Sequence, residues 1–414
     1  MPETTPFHAR TAARCISYRW KDWAGYLSVC SYRECHEMEY FALRQAVGVI
    51  DVSPLFKYDV RGPDAGRLLS RIMTRDIARL KPGRVAYTCW CDDAGKLVDD
   101  GTVTRLEDDW FRVTAADPSM GWFERHTRGL DVRLTDATRH LGVLSIQGPR
   151  SRALLDELVD ADLTRLRFFR ATRTRLAGRD VVVTRTGFTG DLGFELWVDV
   201  ADAGDIYDLV FEAGQRHGAL PVGLDAMDMT RVEAGFVLNG VDFHSARHTI
   251  VEARKSTPLE LGLDWTVDLE RDPFIGQSAL QAEAARGPAW QFVGLVADWD
   301  QLEGYYEQLN LPPSVPSEAW RTSVPIYIAK SGRKQIGYAS SGTWSPTLKQ
   351  NLAMAHVSSE FAAVGTTVGL EVTVEHTRQV VSAQVVSRPF FDPPRKVQTP
   401  GLRRKTPAGE GTTP

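Results

Sequence analysis

The chain has 414 residues, which exceeds what one hydrophobic core usually serves and predicts two or three domains. Hydrophobic residues make up 43% of it and charged residues 25%, as in an ordinary globular protein. The formal net charge of -4 excludes a basic nucleic-acid-binding protein, and no apolar run approaches the roughly 20 residues of a membrane span. The first residues lack the apolar core of a secretory signal, so we expect a cytoplasmic protein.

The five cysteines are too few and too scattered for a disulfide framework. Cys30, Cys35 and His36 form only half of a metal-ligand set, since no second pair of cysteines or histidines completes it. Cys89 and Cys91 lie two apart on a predicted strand, so they share one face and are interpreted as buried structural thiols. We therefore predict neither a metal nor a disulfide.

Two segments in the first half of the chain share one pattern. Residues 36–47 are predicted to form a helix and 57–60 a short strand. VRGPDAGRLL at 60–69 combines a strand end, a Gly-Pro break and an amphipathic helix, because proline suits the first helical turn. The same pattern returns in IQGPRSRALL at 146–155. Their glycines are 86 positions apart (148 − 62).

Hairpin signals follow both Gly-Pro pairs. A turn at 92–95 and a strand at 97–104 follow the first, and strands at 181–185 and 194–198 follow the second. Asp100 lies 38 residues past its glycine (100 − 62), and Gly187 lies 39 past the other (187 − 148). These offsets predict two related α+β modules around a pseudo-twofold axis, with a site built from both.

The second half of the chain changes from helices to short strands. Helices are predicted at 201–217 and 225–234. Beyond residue 291, short strands alternate with Gly, Ser and Pro turns, which is typical of an all-β domain. Those strands are predicted at 324–328, 335–338, 370–374 and 380–386.

The segment 298–321 has no clear period and is rich in Trp, Tyr and Pro, so we predict a connecting loop or lid. Its aromatic side chains either cover a small aromatic or onium substrate or pack the loop against the C-terminal domain. They are Trp299, Tyr305, Tyr306 and Trp320.

The glycine-rich stretch RTGFTGDLGFEL at 185–196 is the sharpest signal for a functional site. Its three glycines predict a tight turn that lets backbone approach a ligand closely. Glu195 stands between Phe194 and Leu196, which should be core, and a carboxylate so placed favours a ligand with two hydrogen-bond donors, such as the edge of a pterin. Spacing alone also fits a hairpin turn with an outward-facing glutamate.

This stretch resembles the GYTGExGFEL signature of the glycine cleavage T-protein (aminomethyltransferase) superfamily, which also contains folate-dependent demethylases and folate domains of dimethylglycine- and sarcosine-oxidising enzymes. Further stretches resemble that family in order and spacing. They are AVGVIDVS at 46–53, Asp99-Asp100, GLDAMDMTRVEAG at 223–235, PLELGLDW at 258–265 and SSGTWSPTL at 340–348.

The resemblance implies an α+β fold with three domains in a cloverleaf: two related α+β modules and a C-terminal antiparallel β-barrel around a tetrahydrofolate site. We expect an N-terminal segment (1–55) packing with the second module, a first module (56–140), a second module with the folate signature (141–290), a connecting loop or lid (291–322), the barrel (323–394) and a disordered tail (395–414).

The resemblance also implies roles for seven residues. Asp100 matches the catalytic aspartate beside the reactive nitrogens of the folate, and Glu195 matches the pterin-binding glutamate. A carboxylate in the place of Asp100 can stabilise a developing cation or accept a proton from an amine. The implied folate-binding positions are Glu195, Phe188, Tyr87, Thr114, Met227 and Trp265. Asp99 is expected to be a turn or surface residue, because adjacent side chains of a strand face opposite sides.

Departures from the family pattern bear on the reaction. Met227 replaces the arginine of GLGARD, LNGVD at 238–242 replaces LYGxD, and VTAAD at 113–117 replaces VNAAN. Met227 therefore favours the demethylase and dimethylglycine–sarcosine branch over glycine cleavage, because a permanent cation with five donors is lost. The chain has no GxGxxG fingerprint and so no flavin domain of its own.

Three functions follow from these patterns. The first is transfer of a methyl or one-carbon unit from a small O-, S- or N-methylated substrate to N5 of tetrahydrofolate. The second is an aminomethyltransferase of a glycine-cleavage type, and the third a non-catalytic folate-binding protein. A carrier protein or a separate oxidoreductase is compatible with the first two but not indicated by the sequence.

Overall fold

The computed structural model describes residues 1–329 and 334–400. Within these residues, no helix combines the length and apolarity needed to cross a membrane. The N-terminal segment forms a three-stranded sheet and two helices before its last strand joins a larger sheet. Its elements are β1 (Glu3–Thr4), α1 (His8–Arg14), β2 (Arg19–Trp23), β3 (Tyr26–Ser31), α2 (Glu37–Gln45) and β4 (Val47–Asp51).

The first large sheet contains five antiparallel strands. One short helix follows its first strand, and a second precedes its last strand. Its elements are β5 (Phe56–Arg61), α3 (Ala65–Ile72), β6 (Arg84–Cys91), β7 (Leu97–Glu107), β8 (Trp110–Ala115), α4 (Met120–Arg125) and β9 (Arg133–Asp136). The strand order is β6-β7-β8-β5-β9. Alternate side chains face opposite sides, and one side packs Val60, Val103 and Val113 against α3. The other side is polar and carries part of the candidate site.

The second large sheet repeats this design and takes in a strand of the N-terminal segment. Its elements are β10 (Leu141–Gln147), α5 (Ser151–Asp156), β11 (Ala171–Leu176), β12 (Arg179–Thr184), β13 (Gly193–Asp199), α6 (Ala203–Gly214) and β14 (Ala219–Pro221). The strand order is β11-β12-β13-β10-β4-β14. Phe194 and Leu196 pack with the residues of α5 and α6 on the apolar side, which leaves Glu195 on the opposite side.

The two sheets are related by an internal repeat. Four strands follow the same order in each, β6-β7-β8-β5 in the first and β11-β12-β13-β10 in the second. The strand that begins each module ends in a left-handed glycine, Gly62 at φ +124° and Gly148 at φ +115°. A Cβ would lie 2.5 Å from the carbonyl oxygen of Asp131 at the first position and 2.6 Å from that of Ala46 at the second, so both turns require glycine.

The C-terminal domain is a closed barrel of six antiparallel strands. It is preceded by α7 (Leu224–Glu233), every residue of which is buried, and by α8 (Gln277–Arg286). Its elements are β15 (Trp290–Ala297), α9 (Trp299–Glu307), β16 (Val324–Ile328), β17 (Gln335–Ser345), β18 (Gln350–Ser358), β19 (Thr367–Val374) and β20 (Thr377–Val386). The barrel closes where β20 pairs with β15. The predicted fold class, two related α+β modules and a C-terminal antiparallel barrel, is confirmed.

The predicted loop or lid at 291–322 is wrong in its first half. β15 pairs with both β18 and β20, so the barrel begins at Trp290 and not at residue 323. Asp298 then caps α9 by accepting a hydrogen bond of 3.0 Å from the backbone N–H of Gln301. Trp299, Leu302 and Tyr306 lie at positions i, i+3 and i+7 of α9, and Leu302 and Tyr306 are buried, so the sequence does carry a short helical repeat.

The aromatic side chains of this segment pack against the barrel. The ring of Trp299 lies 5.1 Å from that of Trp344, and Tyr305 Oη donates a hydrogen bond of 2.9 Å to the carbonyl oxygen of Val380. Trp320 exchanges backbone hydrogen bonds with Gly342 of β17. Of the two interpretations, packing against the C-terminal domain is confirmed for these side chains, and the lid is wrong.

The predicted disordered tail begins too early. Arg185 donates hydrogen bonds to the carbonyl oxygens of Lys396 and Gln398, and Arg395 pairs with Asp191 at 2.6 Å. Residues 395–400 are therefore held against the second module by charge-assisted hydrogen bonds. The remainder of the predicted tail, 401–414, lies outside the described residues.

Candidate functional site

The polar side of the first sheet brings together four of the residues predicted for the site. Tyr87 on β6 donates a hydrogen bond of 2.6 Å from its Oη to Oδ2 of Asp100 on β7. The ring of Trp265 stacks on that of Tyr87 with 5.7 Å between centroids, and Trp265 keeps 56% of its surface exposed. Thr114 on β8 lies on the same side, and its hydroxyl is 2.8 Å from that of Thr102.

The environment of Asp100 tunes its proton affinity. Burial raises the pKa of its carboxyl to about 6, and the carboxylate of Asp117 adds to the rise. The hydrogen bond from Tyr87 opposes this by stabilising the carboxylate. Burial and the charge of Asp100 hold the pKa of Tyr87 well above its usual range, so the phenol stays protonated and remains a donor. A carboxyl group with this pKa exchanges a proton readily near neutral pH.

The expectation that Asp99 is a turn or surface residue is wrong. Asp99 is fully buried, because the loop that follows β8 covers it. Its carboxylate accepts hydrogen bonds from the backbone N–H groups of Ala116 and Asp117 and from Nδ2 of Asn239, all within 3.0 Å. Burial and the neighbouring charge of Asp100 raise the pKa of Asp99 well above its usual range. Asp99 thus ties two loops to the strand that carries Asp100.

The polar side of the second sheet presents Glu195. Its Oε2 accepts hydrogen bonds of 2.8 Å from Thr186 Oγ1 and 3.3 Å from Thr184 Oγ1. Trp197 Nε1 donates to the Thr184 hydroxyl at 3.3 Å. Burial raises the pKa of Glu195, and the two hydroxyl donors oppose that rise. The other oxygen, Oε1, has no hydrogen-bond partner among residues 1–329 and 334–400, so one face of the carboxylate is left for a donor.

Two glycines of the signature accommodate a buried side chain that the sequence analysis did not anticipate. A Cβ at Gly187 would lie 2.1 Å from the side-chain amide of Gln147, and one at Gly193 would lie 1.9 Å from it. The amide of Gln147 donates to the carbonyl oxygens of Thr186 and Phe194. The glycines therefore make room for a buried glutamine that holds the turn.

Phe188 and Met227 lie in an apolar cluster beside the second sheet. Met227 is 8% exposed and packs in a cluster with Trp197, against which Phe188 and Leu55 also pack. The Phe188 ring stacks on that of Phe236 with 5.6 Å between centroids. A thioether and hydrocarbon side chains surround this position, where the family pattern predicts an arginine, so Met227 contributes apolar packing surface.

The polar sides of the two sheets meet at a cleft of about 900 Å³, lined by Arg112 from the first sheet and Trp197 from the second. Arg112 Cζ lies 5.9 Å from the centroid of the Trp197 ring. Each of these residues is two positions from a predicted site residue, Thr114 and Glu195 respectively, and so shares its strand face. Neither Asp100 nor Glu195 lines the cleft itself.

Three residues of this constellation were not predicted from the sequence. Gln147 directly precedes the second Gly-Pro pair, Thr186 lies inside the glycine-rich stretch, and Asn239 lies in LNGVD. Each belongs to a quoted motif, so the signal was present. The roles of Gln147 and Asn239 depend on contacts between segments about 40 or more residues apart, which no local pattern encodes, whereas Thr186 acts on Glu195 within the same stretch.

One group of metal-ligand types occurs outside this constellation. Ligand atoms of His36, Asp225 and Glu318 lie within 4.8 Å of one another. Arg19 pairs with Asp225 at 3.1 Å and with Glu318 at 2.5 Å, and Lys21 lies 3.7 Å from Asp225. The two cations already balance the carboxylates, so the cluster resembles a partly buried ion-pair network.

Two family profiles match the chain. The GCVT N-terminal domain matches residues 7–271, and the glycine cleavage T-protein C-terminal barrel domain matches residues 311–392. The structure of glycine cleavage system aminomethyltransferase T from Bartonella henselae superposes with a TM-score of 0.79 at 23% identity, covering 95% of this chain and 99% of that one. That similarity shows a shared fold.

Curated relatives of two kinds are similar to the chain. The aminomethyltransferase of Geobacillus thermodenitrificans is 33% identical over 392 residues, 93% of this chain and 96% of that protein. The aminomethyltransferase of Bacillus velezensis is 32% identical over 372 residues, 88% of this chain and 91% of that protein. The trimethylamine-oxide aldolase of Ruegeria pomeroyi is 33% identical over 407 residues, which are 95% of this chain but 47% of that protein. The resemblance seen in the motifs is thereby confirmed, and the chain belongs to the glycine cleavage T-protein family of one-carbon transferases.

Proposed function

We propose that the protein binds tetrahydrofolate between its two modules and transfers a one-carbon unit to it from a small methylated substrate. The observation that carries this proposal is that two carboxylates, one on each large sheet, have different surroundings. Asp100 is half-buried beside a phenol donor and its carboxyl has a pKa of about 6, whereas Glu195 accepts two hydroxyl donors on one oxygen only. One carboxylate suits proton exchange and the other suits recognition.

The residues present fit a reduced folate. Glu195 Oε1 is free for an N–H donor of a pterin, and Thr184 and Thr186 hold the carboxylate in place. Stacked aromatic rings of Phe188 and Tyr87 offer flat apolar surface on either module. Thr114, Met227 and Trp265 would complete the lining. When bound, tetrahydrofolate supplies a nucleophilic amine that accepts a one-carbon unit.

The chain itself contributes positioning and proton control. The carboxylate form of Asp100 accepts a proton or stabilises positive charge that develops nearby, while Tyr87 Oη orients its Oδ2. Asp99 holds the strand of Asp100 and the loop at Ala116 in a fixed relation through its hydrogen bonds. Most of the acceleration would come from holding the two reactants in line.

Met227 favours a methylated substrate. An aminomethyl donor or a carboxylate-bearing substrate gains from a cation at this position, and Met227 offers a buried thioether instead. Small O-, S- and N-methylated compounds present methyl groups that pack well on such a surface. The similarity to a trimethylamine-oxide aldolase supports a methylated amine in particular.

Aminomethyl transfer in a glycine-cleavage-type system is the second candidate. The aminomethyltransferases of Geobacillus and Bacillus match nearly their whole length to this chain, which favours the same reaction. The two candidates share the folate site and differ in the donor, so a donor assay separates them. A protein that binds folate without turning over any donor would instead be a non-catalytic folate-binding protein.

Isothermal titration with tetrahydrofolate tests the shared site. We expect binding by the wild type and about tenfold weaker binding by Glu195→Gln, equivalent to about 1.4 kcal/mol, because the amide loses one acceptor face. Glu212→Gln, an exposed glutamate on α6, is the matched control and should bind as the wild type does. Absence of binding by the wild type would refute the folate proposal.

A donor screen then tests the reaction. N-, O- and S-methylated compounds are incubated with tetrahydrofolate and the protein, and the one-carbon folate product is measured by chromatography. In parallel, an aminomethyl-loaded lipoyl carrier is offered as the donor. Turnover with a methylated compound, reduced by the substitution Met227→Arg, would support the first candidate. Turnover only with the carrier would support the second candidate instead.

A further inference from the structure

A second internal repeat lies at the seam where the two modules join. DIARLKPGR at 76–84 and DLTRLRFFR at 162–170 align with the same offset of 86 residues (162 − 76) that separates the two Gly-Pro pairs. In both copies the aspartate pairs with the arginine three residues later, Asp76 with Arg79 and Asp162 with Arg165. The repeat therefore extends to side-chain contacts.

The last arginines of the two copies oppose each other across the pseudo-twofold axis. Arg84 and Arg170 form an antiparallel bridge, flanked by a hydrogen bond from Val85 N to Phe169 O of 3.1 Å and one from Ala171 N to Gly83 O of 2.9 Å. Hydrogen bonds on the flanking residues mark the non-hydrogen-bonded register, in which opposed side chains approach most closely. Like charges directly opposite in a sheet are destabilising.

Two further cations surround this pair. Lys81 and Arg167 occupy equivalent positions in the two copies and are both exposed. Arg105 on β7 is the strand neighbour of Arg84 on β6. The guanidinium of Arg105 is bound by the carbonyl oxygen of Leu80 and by Asp108. We call Lys81, Arg84, Arg167 and Arg170 the seam cluster.

The seam cluster has no compensating carboxylate. None of its four side chains makes an ion pair or side-chain hydrogen bond with another described residue. Burial is the largest cause that lowers the pKa of Arg170. The guanidiniums of Arg84 and Arg167 lower it further, and no acidic group offsets them. The acids of the repeat are committed to Arg79 and Arg165. Four neighbouring cations with no partner among the described residues make this surface favourable for an anion from outside.

The backbone at the seam carries a further sign of constraint. Phe169 adopts φ +56°, the left-handed conformation that its counterpart Gly83 adopts at φ +72°. A bulky residue in this region is rare and is retained where the surroundings dictate it. The strain places Arg170 opposite Arg84, so the chain maintains the close approach of two cations at some conformational cost.

We propose that the seam cluster is a binding site for a multivalent oxyanion, which bridges the two modules through Arg84 and Arg170. Phosphate groups and clustered carboxylates share this chemistry, since both accept two parallel hydrogen bonds from a guanidinium. The seam touches the candidate folate site through Arg185, whose backbone pairs with Phe169 and Arg170 and whose neighbours Thr184 and Thr186 hold Glu195. An anion at the seam would therefore steady one wall of that site.

Thermal unfolding with inorganic phosphate is the first test. At constant ionic strength set with chloride, we expect about 10 mM phosphate to raise the Tm of the wild type by about 2 °C. The double variant Arg84→Gln/Arg170→Gln should lose this response, and without phosphate at low salt it should be as stable as the wild type or more stable, because the repulsion is gone. Arg128→Gln, an exposed arginine without a partner among the described residues, should respond as the wild type does.

Folate with a chain of γ-linked glutamates is the second possible oxyanion, because it carries clustered carboxylates. This second experiment rests on the proposed function. The affinities for tetrahydrofolate monoglutamate and triglutamate are compared by titration. If the added carboxylates raise the affinity about threefold or more in the wild type but not in the double variant, the glutamate chain of the folate occupies the seam cluster. If phosphate does not raise the Tm through the seam cluster and the triglutamate does not bind more tightly through it, the oxyanion site is refuted. Failure of the monoglutamate to bind would refute the folate proposal and leave the phosphate test unaffected.

Discussion

At the scale of single residues, Asp99 and Asp100 show how one strand gives two adjacent carboxylates different roles. Asp99 accepts hydrogen bonds from backbone and from Asn239 and is committed to structure. Asp100 has one phenol partner, Tyr87, and faces the polar side of its sheet. The pair was visible in the sequence, but the burial of Asp99 was not, because it depends on the loop at Ala116 folding over the strand.

The raised pKa of Asp100 leads to a prediction about pH and activity. If its carboxylate is the active form, activity falls as pH drops through about 6, where the group becomes protonated. Asp100→Asn should lower kcat/KM by about 10² to 10³ and remove this limb of the pH profile. Asp93→Asn, an exposed aspartate of the same hairpin, is the control. An unchanged profile in Asp100→Asn would show that another group titrates.

Lys57 gives a prediction about stability, because it is buried on the polar side of β5. Burial lowers its pKa to about 7, an effect that Asp51 partly offsets. Since the folded pKa lies below that of the unfolded chain, the unfolded state binds more protons between pH 7 and 10.5, and stability rises with pH in this window. We expect the wild type to gain about 2 kcal/mol between pH 7 and pH 9 relative to Lys57→Met in urea unfolding.

That comparison isolates the ammonium group. Lys57 Nζ donates to the carbonyl oxygens of Ser53 and Leu55, so Lys57→Met changes the absolute stability at every pH by leaving them unpaired. The change in slope with pH is independent of that constant loss. Parallel pH curves for the two proteins would mean that the ammonium stays charged in the folded state.

At the scale of elements, regular periodicity and turn chemistry explain which segments were predictable. α2 and α7 lie within two residues of their predicted bounds, α6 lies within three, and β16 has the predicted ones, because each carries a repeat of apolar residues. α9 was missed although Asp298 is a good N-cap, because its apolar repeat spans only nine residues and a proline-rich stretch follows it. β18 was missed because AMAHV packs on both sides in a closed barrel and shows no alternation.

The glycine-rich turn can be tested as an element, because its shape depends on Gln147. Gly187→Ala would bring a Cβ within 2.1 Å of the Gln147 amide, so we expect a loss of about 2 to 4 kcal/mol in the free energy of unfolding and weaker folate binding through Thr186. Gly121→Ala in α4, where nothing lies within 4 Å, should be neutral or slightly stabilising.

A second substitution distinguishes the collision from other effects. Gly187→Ala combined with Gln147→Ala removes the colliding amide and should cost less than the sum of the two single changes. Additive losses would mean that the glycine is required for another reason, such as backbone conformation.

At the scale of the whole molecule, the site exists only where distant segments meet. Glu195 and Asp100 lie on different sheets, and the family motifs anticipated both without showing how they are held. What the sequence left out is the set of supports, Gln147, Asn239 and the residues after Pro394, each of which acts across a long stretch of chain. Contacts of this kind are set by the packing of modules and leave no periodic trace.

Residues 395–400 give the last prediction, because they close the second module from the far end of the chain. Arg185 is fully buried, and its guanidinium donates to Lys396 O, Gln398 O and Thr399 Oγ1. A chain ending at Pro394 leaves Nη2 of Arg185 unpaired, since Nη1 keeps its bond to Leu166 O, and we expect it to lose about 2 to 4 kcal/mol in the free energy of unfolding. A chain ending at residue 400 keeps every one of these contacts and is the matched control. Because Arg185 lies between Thr184 and Thr186, the shorter chain should also bind tetrahydrofolate more weakly; equal stability and equal affinity of the two truncations would show that Arg185 finds other partners.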